Sequence, residues 1–279
     1  MKSPKISVVM SVYNGGERLS IAIDSVLRQT YKDFEFIIIN DGSTDESLKV
    51  IEKYERQDDR IIVIDRENKG LANSLNEGVT LSRGEYVARM DQDDICFPKR
   101  FEKQVDCFEN NASVSMLFTG WEEVDVDRLS RNIKIPKREW FRNLKKYFFI
   151  KSVILLHPTL MAKLDVMRRY PYPDLRRRGE DYKMFLDMIV DDVKFDILDE
   201  PLLEYYVSNK PSDFFRNKIH WFSVDFLPVL NSKKGIFKFN VFFWIMYLRT
   251  FIAKITTVNM FVYRLFYINL KNIFERLFK

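Results

Sequence analysis

The first ninety residues switch repeatedly between two periodicities, and that switching limits the fold more than any other feature of the chain. Ile6 to Val12 is a short, β-branched apolar run with the character of a buried strand, after which Leu19, Ala22, Ile23, Val26 and Leu27 recur at helical spacing. Phe34 to Ile39 is a second apolar run, too short and too β-branched for a helix. Ser43 and Glu46 form a capping-box pattern ahead of a helix with Leu48 and Ile51 turned inward. Ile61 to Ile64 predicts a third strand, and Leu71, Leu75 and Val79 mark one face of a third helix. Strand and helix in strict alternation imply βαβ units and an α/β fold built on a mostly parallel sheet flanked by helices.

In sheets of this kind ligands collect at the carboxyl ends of the strands. The segments there are Tyr13-Asn14-Gly15-Gly16, Asn40-Asp41-Gly42-Ser43, Asp65 to Gly70 and Asp91-Gln92-Asp93-Asp94, so glycines and polar groups gather at one rim. The second half is less regular. Val114 to Thr119 and Val193 to Leu198 read as strands, and Tyr182, Phe185, Leu186 and Ile189 mark a helix entered by Gly179-Glu180-Asp181. Asn-Ser-Lys-Lys-Gly at 231–235 breaks the pattern and divides a domain over 1–230 from a tail over 231–279.

Charge follows the same division. From Phe226 onward nine Lys and Arg face one acid, Glu275, so a tail of +8 follows a body of −3 in a chain of net +5. Aromatic residues make up 15% of the chain, with 24 Phe, and the tail is crowded with them. Basic charge among aliphatic and aromatic side chains suits lipid better than nucleic acid, so no nucleic-acid partner is expected. The longest apolar run in the tail is Val241 to Leu248, far short of the roughly 20 residues needed to span a bilayer. The expectation is a helix lying on anionic lipid, with a helical hairpin against the domain or a second subunit as the alternative.

Cys96 and Cys107 are the only cysteines, which gives no disulfide framework and fits a reducing compartment. The amino-terminal residues lack the hydrophobic core of a signal peptide, so a cytoplasmic, peripheral location on the inner face of the membrane is expected. With only His157 and His220 present, a multi-histidine zinc site is disfavoured, and any metal must be held mainly by oxygens, which favours Mg²⁺ or Mn²⁺. Asp91 and Asp93, two residues apart after a strand, can face one ligand while Gln92 faces away. Three carboxylates in four residues repel unless a cation or solvent compensates, although an acidic turn ahead of a helix reads equally well. Asp41 in Asn40-Asp41-Gly42-Ser43-Thr44-Asp45 by itself reads as a turn.

Together these segments resemble the GT-A fold glycosyltransferases of family 2, whose Rossmann-like domain builds bacterial polysaccharides. The matching stretches are Ser7 to Asn14, Ile37 to Asp45, Asn68 to Ala72 and Ala88 to Asp94, in the family's order and spacing. The resemblance implies a nucleotide-sugar half over 1–110 and an acceptor half over 111–230. It implies that Val12, Tyr13 and Asn14 border the base of a UDP-sugar and that Asp41 accepts a hydrogen bond from the uracil ring. It places Asp91 near the ribose or the metal and makes Asp93 the direct ligand of Mn²⁺ or Mg²⁺ on the diphosphate. Two positions depart from the family: Ser11 stands where proline is common, and Leu75 where many members have arginine, so Lys69 or Arg89 is expected to supply a basic contact.

The family's acidic pair resembles Glu180-Asp181, with Asp181 the implied base that takes the acceptor hydroxyl's proton and so inverts the anomeric centre. The alternative is that both acids complement a helix dipole, worth about 0.3–1 kcal/mol. Arg178, last of Arg176-Arg177-Arg178, and His157 before Pro158 are candidates for the acceptor side, or else a solvated run and a packed histidine. The implied reaction moves a hexose or N-acetylhexosamine from a UDP-sugar to a lipid-diphosphate-linked saccharide in O-antigen or capsule synthesis. The rivals are a nucleotidyltransferase, for which Tyr13 to Arg18 is a poor phosphate loop, and a non-catalytic nucleotide-sugar-binding protein at the membrane. A homodimer through the tail helices is a further expected partner.

Overall fold

The computed structural model describes residues 3–125, 130–142, 144, 155–174 and 180–207, all within one compact unit that runs to Asn209. The expected boundary at 231–235, the basic tail, its lipid or dimer contacts, and Arg176 to Arg178 lie outside the described residues. The first half runs β1 (Ile6–Val12), α1 (Arg18–Leu27), β2 (Phe34–Asp41), α2 (Ser47–Glu55), β3 (Ile61–Arg66), α3 (Leu71–Leu81) and β4 (Tyr86–Met90). After it come β5 (Ile95–Cys96), α4 (Arg100–Asn110), β6 (Met116–Asp125), β7 (Ser130–Lys134) and α5 (Arg138–Arg142). A 3₁₀ turn at His157–Thr159 precedes β8 (Met161–Lys163), α6 (Leu164–Arg169), α7 (Glu180–Val190) and β9 (Phe195–Val207).

The sheet order is β3-β2-β1-β4-β8-β6-β9-β5, with β7 paired to β6. Strands β1 to β4 are mutually parallel, β8 runs against β4 and β6, and β6 and β9 are parallel to each other. The expected mostly parallel α/β sheet is therefore present. Its central strands are apolar at successive positions because both faces are covered. Ile6, Val8, Met10 and Val12 join Phe36 and Ile38 on one face, packed on Leu19, Ile23 and Val26 of α1 and on Phe101 and Val105 of α4. Val9 and Ile39 point to the other face, where α3 lies against them at Gly78.

Gly78 is what allows α3 to sit so close, since a Cβ there would fall 2.4 Å from Val9 Cγ1. Gly78→Ala gains up to about 1 kcal/mol of helix propensity but forces α3 off the sheet, and overpacking of this kind typically costs about 1–3 kcal/mol. A net fall in denaturant midpoint at unchanged slope is the expected outcome.

Two local readings are corrected. Helix α2 begins at Ser47 with no side-chain cap at its Glu46 N-cap, so the Ser43–Glu46 capping box does not form. Ser43 is instead recruited by the loop after β1, and Asp45 Oδ1 accepts from Ser47 N at 3.0 Å. Leu71, expected on the inner face of α3, is 40% exposed, whereas Leu75 and Val79 are buried. It is the first residue of that helix, at the rim of the sheet.

Candidate active site

The loops after β1, β2, β3 and β4 are laced together at the carboxyl end of the sheet. Backbone amides of the first loop donate to side chains of the second: Asn14 N to Ser43 Oγ (3.0 Å), Gly15 N to Ser47 Oγ (2.9 Å) and Gly16 N to Asp45 Oδ2 (3.2 Å). Asn14, at φ 51°, returns the contact by accepting from Thr44 N at 2.8 Å. The Gln92 amide accepts from Tyr13 N (2.8 Å) and donates to Tyr13 O (3.2 Å), which ties the first loop to the acidic one. Tyr13 is 49% exposed at the rim, while Val12, expected to border the base, is fully buried in the core and presents no surface to a ligand.

Asp41 lies beneath the third loop, 2% exposed. Its carboxylate takes Lys69 N and Gly70 N, each at 2.9 Å, and an ion pair from Arg66 Nη1. Three donors on a group with about four acceptor positions leave room for one more. Gly42 turns the chain here at φ 71°, and a Cβ would stand 2.7 Å from Asn68 N, so the approach of the two loops requires glycine. Arg66 also donates to Glu77 Oε2 (2.7 Å) and Ser74 Oγ (2.8 Å) on α3. Arg66 thus ties Asp41 to α3, a role that no sequence signal beyond its place at the end of β3 singled out. Lys69 engages through its backbone and keeps its side chain exposed.

The acids after β4 form a loop rather than an extension of the strand. Asp91 pairs with Arg89, whose guanidinium is almost wholly buried with no hydrogen-bond partner for Nε. Arg89 is an internal counter-charge and presents no exposed donor to a nucleotide. Burial and the Asp91 charge push the Asp93 carboxyl up. Asp94 turns inward at 1% exposure, takes Tyr206 N on Oδ1 at 3.0 Å and is pushed well up by burial and then by Asp91. Beneath them Arg100, fully buried, donates to the carbonyls of Arg89 and Leu160, both at 3.0 Å, and so fixes the end of β4.

Asp181, in the first turn of α7, belongs to the same electrostatic field. Burial foremost, then Glu180, with Asp91 adding, push its carboxyl up to about 6 against the opposing pull of Tyr182 N and Arg89. The approach to α7 is anchored by Asn76, whose amide accepts from Tyr172 N and donates to Tyr172 O, both at 2.8 Å. The Tyr172 hydroxyl meets His157 Nε2 at 2.8 Å, and the imidazole also packs edge-on against Phe185. Burial and then Arg89 hold His157 well below its usual range, hence neutral, in the packed arrangement that was the alternative to acceptor contact.

Among the described residues no three ligating side chains stand together as a complete metal cage. What is present is a pair of carboxylates at the rim, Asp91 and Asp93, with burial and the Asp91 charge raising the cost of ionising Asp93. That donor set fits Mg²⁺ or Mn²⁺, which keep water and phosphate ligands beside one or two protein carboxylates.

Comparison with known proteins agrees with this geometry. The sequence profile described as glycosyl transferase family 2 matches residues 7–172. An uncharacterized glycosyltransferase of Methanocaldococcus jannaschii is 37% identical over 249 residues, covering 88% of this chain and 85% of the relative. The O-antigen biosynthesis glycosyltransferase WbnJ of Escherichia coli is 34% identical over 216 residues, 74% of this chain and 80% of that one. In fold, the chain superposes on residues 1-349 of S. aureus TarS in complex with UDP-GlcNAc with TM-score 0.66 at 18% identity, over 95% of this chain and 79% of that fragment. It superposes on the mannosyltransferase PcManGT of Pyrobaculum calidifontis, in complex with GDP-Man and Mn²⁺, with TM-score 0.64 at 14% identity, over 98% of this chain and 87% of that one. With its four strand-end motifs on one rim of a GT-A sheet and the family profile spanning most of that sheet, the chain belongs to glycosyl transferase family 2 and is a transferase enzyme.

Proposed function

We propose that the chain transfers a hexose or N-acetylhexosamine from a UDP-sugar to a hydroxyl of a lipid-diphosphate-linked saccharide, with inversion, in surface polysaccharide synthesis. The observation that carries this reading is the placement of two sets of carboxylates in one field, Asp91 and Asp93 at the rim and Asp181 poised near 6. In the reaction the acceptor oxygen bonds to the anomeric carbon, the bond from that carbon to the diphosphate oxygen breaks, and Asp181 takes the hydroxyl proton. Oδ1 of Asp181 accepts from Tyr182 N at 2.7 Å, so Oδ2 is the oxygen offered to the acceptor. Asp93 and Asp91 would hold Mn²⁺ or Mg²⁺, which would neutralise charge on the departing diphosphate.

Tyr13 stacks on the uracil base, and Asp41 spends its remaining acceptor position on the ring N–H. A UDP-sugar donor draws support from the UDP-GlcNAc complex of TarS, and a role in surface polysaccharide synthesis from the O-antigen biosynthesis in the name of WbnJ. The basic aromatic tail is assigned to the anionic inner face of the membrane, or to a second subunit, on its composition.

The test is nucleotide release from a panel of UDP-, GDP- and TDP-sugars with Mn²⁺ and lipid-diphosphate acceptors. Release of UDP that requires donor, acceptor and metal together is the expected result. Preference for a GDP-sugar overturns the uridine assignment, and consumption of no donor with any acceptor overturns the transfer proposed here.

A further inference from the structure

The acidic loop has no regular structure of its own, and its carboxylates repel one another, so its shape depends on ties to its surroundings. Each of the four residues is held by a different element. Asp91 is held by Arg89 of β4, Gln92 by the backbone of Tyr13, and Asp94 by Tyr206 N of β9. Asp93 is held by Arg18, the first residue of α1, whose Nε donates to the Asp93 carbonyl at 2.7 Å. Arg18 differs from Arg89 in one respect that matters: it grips the backbone and leaves the carboxylate of its target to another ligand.

The guanidinium is itself fixed on the far side. Its Cζ lies 4.0 Å from the centroid of the Tyr206 ring, and its Nη2 is 3.8 Å from Glu204 Oε1. Glu204 Oε2 is in turn 3.1 Å from Arg131 Nη1 on β7. A planar cation stacked on an aromatic ring and directing one N–H loses little freedom in making that bond. Tyr206 therefore serves the loop twice, through its backbone to Asp94 and through its ring, by way of Arg18, to Asp93.

We propose that Arg18 is a positioning residue for the metal-binding loop, clamping the Asp93 backbone against β9 so that the Asp93 carboxylate is presented to the divalent cation. This rests on the reading of Asp93 as a metal ligand. Arg18→Ala, Arg18→Lys, Tyr206→Leu and Asp93→Asn are each titrated with Mn²⁺ in the presence of saturating UDP, following free Mn²⁺ by electron paramagnetic resonance, with melting curves alongside. Arg18→Ala is expected to bind Mn²⁺ about tenfold more weakly or worse, the size of loss typical when a partner that orients a metal ligand is removed. Arg18→Lys is expected not to rescue, because an ammonium lacks the planar fork.

Tyr206→Leu keeps the amide on Asp94 but removes the ring, and is expected to weaken Mn²⁺ in the same direction by less. It carries the test if Arg18→Ala does not fold. Wild-type Mn²⁺ affinity in folded Arg18→Ala or Tyr206→Leu, with the affinity of Asp93→Asn lost, overturns the clamp and leaves the metal reading standing. Wild-type affinity in Asp93→Asn overturns the metal reading, and the clamp with it.

Discussion

Asp181→Asn is expected to fold and to lose about 10²–10⁴-fold in kcat, the usual contribution of a positioned general base. Asparagine keeps the shape and the acceptor oxygen for Tyr182 N but cannot take a proton. In the wild type kcat/KM should climb as pH rises through about 6, because the base works only when ionised and its carboxyl is held near that value. The variant should lose that limb of the profile along with its rate.

Stability should move the other way. The folded protein keeps the Asp181 proton up to about pH 6, whereas the unfolded chain releases it near the ordinary carboxyl value of 3.8. The contribution of this group to stability is therefore full below the unfolded value and is lost as pH rises through the window from 3.8 to about 6. Asparagine has no such loss, so Asp181→Asn should be more stable than wild type at neutral pH, on the order of 1–3 kcal/mol. Melting curves at pH 4 and pH 7.5 check this: the difference between the proteins should appear at the higher pH and shrink at the lower. A folded variant with wild-type turnover would falsify the assignment of the base.

Asp93→Asn carries the second large effect. Lewis-acid stabilisation of a leaving diphosphate is worth several kcal/mol, so loss of its protein ligand should lower kcat by about 10²–10³-fold or more. The fall should track lost Mn²⁺ binding in the UDP complex rather than lost folding, since the carboxyl is pushed up in the native protein and its neutral isostere relieves repulsion with Asp91. High Mn²⁺ should restore part of the rate if Asp91 remains as a ligand. Asp93→Asn with unchanged metal dependence would sink the assignment.

The sequence by itself determined the nucleotide half of the fold. Short apolar runs at Ile6 to Val12, Phe34 to Ile39 and Tyr86 to Met90 could bury both faces only in a covered parallel sheet, and topology then brought the strand-end motifs to one rim. The resemblance to family 2 singled out Asp91, Asp93 and Asp181, whereas local patterning by itself read the first two equally well as an acidic turn and Glu180-Asp181 as acids complementing a helix dipole.

Tertiary structure decided which charges face a ligand and which face each other. Arg89 and Lys69 were equal candidates for a basic contact on sequence, yet Arg89 is buried against Asp91, and Arg66, which neither reading named, is the guanidinium that joins Asp41 to Ser74 of α3. Strand β9 runs on through Asp199-Glu200-Pro201, which breaks its apolar pattern, and its pairing with β6 and with β5, the strand that directly follows the acidic loop, carries Tyr206 to that loop. The ties of Arg18 to Asp93 and of Asn76 to Tyr172 join residues 75 and 96 positions apart. Periodicity reports which face of its own element a side chain occupies. Partners at such separations exist only once the sheet has brought the elements together, and the order of strands in space, not the order of residues in the chain, selects them.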